Sequence, residues 1–353
     1  MQYLLFASLF LATILNSDAF ASDYGDRIAT LPEPIAKRLA EASSPNESGA
    51  IGRNKQAYFH VRFQRGMHHV ADYGLVTKRR DVVQRFLKAV EYSLEHQLPA
   101  GDFKLVIPEA LENQGKPSVA DLTSGIAFFV SSLGLGIHAL ETNDWFMGAL
   151  ECEGERRRLA KLKPRLELTL AYLLKHQNYL KAADARAPNR LLFDALAFDM
   201  LGKILDKQSA NDVAVTFVAK ALEQVDAKDG YFIEGGGFDS SYNAVATALT
   251  LRLFMVGFRP KELRPICNNA IAWQSGRVLE SGEVSTQGNA RVRPGKSGES
   301  FLGKEKDVDI GHVVEAFVLA DIALSDESFR KLAMKVIRFY ERKRGDRVSD
   351  DSA

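Results

Sequence analysis

Ten stretches of this chain repeat apolar residues every three to four positions, and that period constrains its fold more than any other feature. They are Gln56–Tyr73, Arg79–Gln97, Val119–Leu140, Arg156–Tyr179, Arg190–Asp206, Asn211–Val225, Tyr242–Val256, Lys261–Trp273, Asp309–Leu324 and Ser325–Arg344. A stripe of that period buries one face of a helix, so each helix needs a partner. Leu98-Pro-Ala-Gly101, Ala187-Pro188, Asp226–Gly230 and Gly257–Pro260 separate the stretches with residues that turn the chain. Pro164 either kinks its helix or moves the helix start. The pattern predicts an all-α chain with one domain of paired antiparallel helices over residues 52–345. A lead-in (22–51) precedes it and a solvated tail (346–353) follows. No repeat of the letters accompanies this rhythm.

Gly276–Thr286 departs from it. Alternation around Ser281-Gly282 predicts a small β-hairpin in the C-terminal third, which must lie on the helices because a lone ribbon is unstable. At the other end, Tyr3–Leu15 is almost wholly apolar and Ala19-Phe20-Ala21 has the small-x-small form of a cleavage site. Residues 1–21 therefore read as a signal peptide cut after Ala21, too short to span a bilayer. The expectation is a secreted or periplasmic protein with no membrane insertion after removal of the signal.

With 46 Lys and Arg against 45 Asp and Glu, the chain is nearly neutral. That argues against a nucleic-acid partner while leaving room for a local basic groove. Cys152 and Cys267 are the only cysteines, enough for one disulfide or two buried thiols.

The chemistry-bearing stretch is Gly230–Asn243, G-Y-F-I-E-G-G-G-F-D-S-S-Y-N. Three successive glycines permit a sharp turn or a close approach by another molecule. Glu234 and Asp239 flank them, Tyr231, Phe232, Phe238 and Tyr242 add aromatic surface, and Asp239, Ser240 or Ser241 would cap the helix that follows. Such a loop suits a binding cleft, although a purely structural turn has the same letters. A second knot is Ala187-Pro-Asn-Arg190, where Pro188 and Asn189 suit a helix start. Arg190 in that first turn opposes the helix dipole, as a cation aimed at an external anion would. The segment Gln287–Asp307 carries Arg291, Arg293, Lys296, Lys304 and Lys306.

Phosphate-loop, dinucleotide, zinc-protease and serine-hydrolase motifs are absent. Gly134-Leu-Gly136 lies in an apolar run and points to close helix packing. His68 and His69 are adjacent and are not expected to share a helix face, so no metal site and no cofactor is expected. His312 differs from the other histidines in lying in a first helical turn just after the basic segment.

A signal peptide, antiparallel helix pairs, Asn189-Arg190 opening a middle helix, the Gly230–Tyr242 loop and a late basic segment together resemble secreted polysaccharide lyases built as an incomplete (α/α) toroid, such as alginate and glucuronan lyases. Alginate lyases of this architecture carry Asn followed by His, where this chain has Asn189-Arg190. The resemblance implies β-elimination on an acidic polysaccharide or oligosaccharide containing uronate. Asn189 and Arg190 would neutralise the carboxylate, helped by Arg291 or Arg293, as electrostatic stabilisation of the enolate requires. Tyr242 would move the protons, its phenol pKa lowered by a nearby cation, with His312 as a reserve base. Glu234, Asp239 and Asn289 would bind sugar hydroxyls, and Tyr231 or Phe238 would stack on a pyranose. Two alternatives remain open: a glycoside hydrolase using Glu234 and Asp239 as its paired carboxylates, and a non-catalytic periplasmic glycan-binding protein.

Overall fold

A computed structural model describes residues 24–108, 117–291 and 308–350 of the chain. The expected signal peptide lies outside these residues, as do Arg293, Lys296, Lys304 and Lys306. The described part is mostly helical and contains no extended strand. Its helices are α1 (Tyr24–Ile28), α2 (Glu33–Ala42), α3 (His68–Thr77), α4 (Arg80–Glu95), α5 (Val119–Glu141), α6 (Asp144–Gly148), α7 (Glu153–Ala183), α8 (Pro188–Leu205), α9 (Gln208–Leu222), α10 (Ser240–Met255), α11 (Pro260–Gly276), α12 (Ile310–Leu324) and α13 (Glu327–Asp350).

Two kinds of helix divide the work. α5, α8, α10 and α12 are apolar nearly all round, and almost every residue from Thr123 to Leu140 on α5 is buried. Helices of that composition must be covered on every side. α3 packs on α5, α5 on α8, α8 on α10, and α10 on α12. Each also carries one amphipathic partner on its other side: α4, α7, α9, α11 and α13 in turn. The partners bury single stripes, such as Val82, Val83, Phe86, Leu87, Val90 and Leu94 on α4. α5 is long and apolar enough to cross a membrane, yet 94% of that stretch is buried against neighbouring helices. Its Gly134 and Gly136 allow the close packing expected of them. A Cβ on Gly134 would lie 2.4 Å from Met200 Cβ, and one on Gly136 would lie 2.6 Å from the Phe86 ring.

Several expectations change. The stretch 56–73 is not one helix. Gly52–Lys55 and Val61–Phe63 form short 3-10 turns, and α3 starts only at His68. Ala57 and Gly66 take positive φ, and the Asn54 side chain both accepts from His60 N and donates to His60 O, which closes a loop where a helix was expected. The lead-in belongs to the core: Tyr24 and Ile28 are fully buried, and α2 packs on both α3 and α12. Pro164 sits within α7, which continues through it to Ala183. The expected tail is helical as far as Asp350. The hairpin reduces to one antiparallel bridge between Val278 and Val284 around Gly282 at φ +97°, resting on α13. Cys152 and Cys267 are buried free thiols, and burial pushes the Cys267 thiol up to about 12.

Where α3, α10 and α12 meet, the interior contains an ion cluster. Arg252 of α10 is 1% exposed and donates Nη2 to Asp72 Oδ2 of α3 at 2.9 Å and to Glu315 Oε1 of α12 at 3.0 Å. Its Nη1 donates to the Tyr24 hydroxyl of α1 at 2.7 Å. His68 and His69 also reach this cluster, against the expectation drawn from helix periodicity. Their ring centroids are 4.0 Å apart, and each Nε2 lies 3.6 Å from a different Glu315 oxygen. The two rings lie against each other at the start of α3, and the one carboxylate from α12 faces both.

Removing the guanidinium leaves two buried carboxylates with no cation, a loss of about 3–5 kcal/mol in comparable buried pairs. Arg252→Met should lower the urea midpoint accordingly, and a variant as stable as the parent would show that the cluster contributes nothing to the fold.

Candidate functional site

The triple glycine forms the tight turn that the sequence suggested. Glu234 N donates to Gly237 O at 2.8 Å, and Gly235 and Gly236 have φ of +64° and +82°. Two consecutive left-handed residues are what a primed two-residue turn demands, and glycine adopts them without a Cβ clash. The turn leads into the first residues of α10, each of which has a separate partner. Asp239 Oδ1 accepts from Ser241 N at 2.9 Å and Tyr242 N at 3.1 Å, so Asp239 caps the helix. Its other oxygen accepts from Arg291 N at 3.1 Å. Ser240 donates its amide to Asn289 Oδ1, Ser241 Oγ accepts from Asp309 N, and Asn243 Oδ1 accepts from Phe232 N. The start of α10 therefore holds the 286–291 segment on one side and the start of α12 on another.

This arrangement places Arg291 over the Tyr242 ring, its guanidinium carbon 4.7 Å from the centroid, and in an ion pair with Glu234. Arg190, in the first turn of α8, donates to Asp184 Oδ1 at 3.0 Å and remains part-exposed. It lies close enough to Tyr242 and Glu234 to influence the titration of both. The two sequence knots and the start of the basic segment thus share one locality. Sequence reasoning missed two further arginines here. Arg62 and Arg65 come from the loop before α3; Arg65 is exposed and lies near Tyr242 and Asp309, while Arg62 lies near Arg190. Burial, then Arg190 and Arg65, push the Arg62 guanidinium down to about 10. Burial is the larger cause of that shift, and the two neighbouring cations add to it against Asp121 and Asp184. The four arginines come from three separate segments, so no local motif could have revealed them together.

Other site expectations need correction. Asp239 is fully buried and Glu234 is 2% exposed, so neither presents a carboxylate to a sugar hydroxyl. Burial raises the Glu234 pKa against the opposing pull of Arg291. Asn289 is buried as well and accepts from Ser240 N and Oγ. Asn189 does not cap α8; Ala187 occupies that position, and the Asn189 side chain folds back onto the Arg190 amide. Tyr231 and Phe238 pack with Trp273, the Arg277 guanidinium lies over Phe238 and Trp273, and Gly288 approaches the Phe238 ring. Of this cluster Tyr231, Phe238 and Trp273 keep part of their surface exposed. The Tyr242 phenol, half-buried, has its pKa raised by burial, with Arg291 and Arg190 only partly opposing, which reverses the expected direction. For His312, burial opposes the charge, but Asp309 Oδ2 at 2.8 Å from Nδ1 outweighs it and raises the pKa. A histidine that holds its proton is better placed as a cation or acid than as a base.

Beneath Arg190 lies a carboxyl pair that the sequence reading passed over. Asp194, sealed in α8, has its pKa raised well above the ordinary value by burial and by Asp184. Asp184 is the carboxylate that anchors Arg190. No protein-family model matches the chain, and no curated protein matches it.

Asp239 carries both the cap of α10 and the amide of Arg291. Asp239→Ala should destabilise the protein by about 1–2 kcal/mol in chemical denaturation. An unchanged midpoint would show that neither bond matters.

Proposed function

We propose that this protein is a polysaccharide lyase acting on a uronate-containing chain by β-elimination, as its resemblance to alginate and glucuronan lyases implies. The observation that carries this reading is the convergence of Arg65, Arg190 and Arg291 on the half-exposed phenol of Tyr242, with Arg62 next to Arg190. An anion is the natural ligand for such a group, and a proton-transfer side chain lies within it. Five buried helices in sequence, each backed by an amphipathic partner, suit an incomplete (α/α) toroid and support the resemblance at the level of architecture. Export through the signal peptide would bring the protein to such a substrate.

In this reading Arg190, with Arg62 beside it, meets the uronate carboxylate and offsets its charge. The C5 proton then becomes removable, and the same cations stabilise the enolate that forms. Tyr242 as phenolate takes the C5 proton. As phenol it returns a proton to O4 while the C4–O4 bond breaks, leaving a C4–C5 double bond and a new chain end. The hydrolase alternative is weaker, because Asp239 is committed to capping and Glu234 to Arg291, and both are buried.

Growth of ultraviolet absorbance from the unsaturated uronate, on a panel of acidic polysaccharides, tests the activity. Reducing ends without that absorbance would instead identify a hydrolase. Tyr242→Phe should lower turnover by at least about a hundredfold with binding retained, the usual scale for loss of a proton-transfer group. Because the phenol pKa is raised, the phenolate fraction grows about tenfold per pH unit below that pKa. The rate should therefore still be rising in alkaline buffer, whereas a plateau from neutral pH would assign the base elsewhere. Arg190→Ala should reduce kcat and raise KM together, and unaltered kinetics would leave Arg190 with only its structural pair to Asp184.

A further inference from the structure

The cluster at the base of α3 contains more ligand atoms than the Arg252 ion pairs use. Arg252 binds Asp72 through Oδ2, and Asp72 Oδ1 is buried with no hydrogen-bond partner. His68 Nε2 and His69 Nδ1 are also buried without hydrogen-bond partners, since 3.6 Å and 4.0 Å to the nearest carboxylate oxygens are too long. His68 Nδ1 meets Ser132 Oγ at 2.9 Å, which orients the ring and directs Nε2 into the cluster. Buried polar atoms are nearly always satisfied, so three orphaned donors or acceptors in one place call for a ligand. The charge is unbalanced in the same sense: Arg252 supplies one positive charge against the carboxylates of Asp72 and Glu315. The nearby His312 is already paired with Asp309.

We propose that His68, His69 and Asp72 bind a divalent transition-metal ion of the zinc type. The sequence His68-His69-Val-Ala-Asp72 places His68 and Asp72 four residues apart on one face of α3. His69 is brought in from the adjoining position at the start of the helix. One ligand atom from each of the three residues lies within 4.8 Å of the others. Metal–nitrogen distances of about 2.0–2.1 Å are reached if each atom moves inward by less than about 1 Å. Imidazole and carboxylate donors together suit zinc and its neighbours better than magnesium or calcium, which prefer oxygen alone. Ser132 supplies the outer hydrogen bond that commonly orients a ligating imidazole. Arg252 does not compete for the site, because it holds Asp72 Oδ2 and Glu315 Oε1 and leaves Asp72 Oδ1 clear. The proposal is independent of the lyase reading, in which no step uses this cluster.

The test is metal analysis of the purified full-length protein after exposure to zinc and exhaustive dialysis. Retention of close to one zinc per chain is expected, falling at least about tenfold in His68→Gln and in His69→Gln. Added zinc should also raise the melting temperature of chelator-treated protein. No retention by the parent, or retention by both variants equal to the parent's, would overturn the proposal. Should the variants fail to fold, cobalt substituted into the parent decides. Intense visible bands of a low-coordinate site support it, and a weak octahedral spectrum or no spectrum refutes it. Loss of lyase activity plays no part in either readout, so the two readings can fail separately.

Discussion

A guanidinium that is 1% exposed is tolerable only if its charge is met where it lies, and Arg252 is met from three other helices. Asp72 is 180 positions away in the chain, Glu315 is 63 away and Tyr24 is 228 away. The cluster thus specifies which helices are neighbours at the point where the chain's beginning meets its end. Apolar stripes alone would accept many pairings of similar helices, whereas a buried charge rejects any pairing that leaves it unmatched. Burial raises the pKa of the Tyr24 phenol, so its hydroxyl remains available to the guanidinium.

The start of α10 has an equivalent role at the surface. Asp239, Ser240, Ser241 and Asn243 are small polar residues whose side chains reach backbone groups in four other places. Each bond satisfies a group that would otherwise be orphaned as the helix enters the core. Together they fix where Arg291 and Asp309 lie relative to Tyr242. Rigid placement of charge is what a site needs if it is to stabilise an anion without first reorganising.

The electrostatics around Tyr242 turn on a competition between burial and charge. Arg291 and Arg190 pull the Tyr242 and Glu234 pKa values down, and desolvation pulls them up and prevails for both groups. Proximity of a cation in the sequence was a poor guide to that outcome. How much water a side chain loses is settled by everything packed around it. His312 shows the opposite balance, because Asp309 is near enough to overcome the cost of burial.

Helix periodicity, glycine and proline punctuation and the capping letters were local properties, and they alone determined that the chain is all-α, where nearly every later helix lies, and that Gly235 and Gly236 make a turn. They failed at residues 56–73, where a long-range-looking apolar pattern was overridden by the Asn54 side chain and two positive-φ residues. Only tertiary structure decided that Arg62 and Arg65 join Arg190 and Arg291, that Asp239 and Glu234 turn inward, and that two adjacent histidines meet one carboxylate from α12. These facts depend on distances between residues far apart in the chain, and a helical period carries no information about which helix will lie across from it.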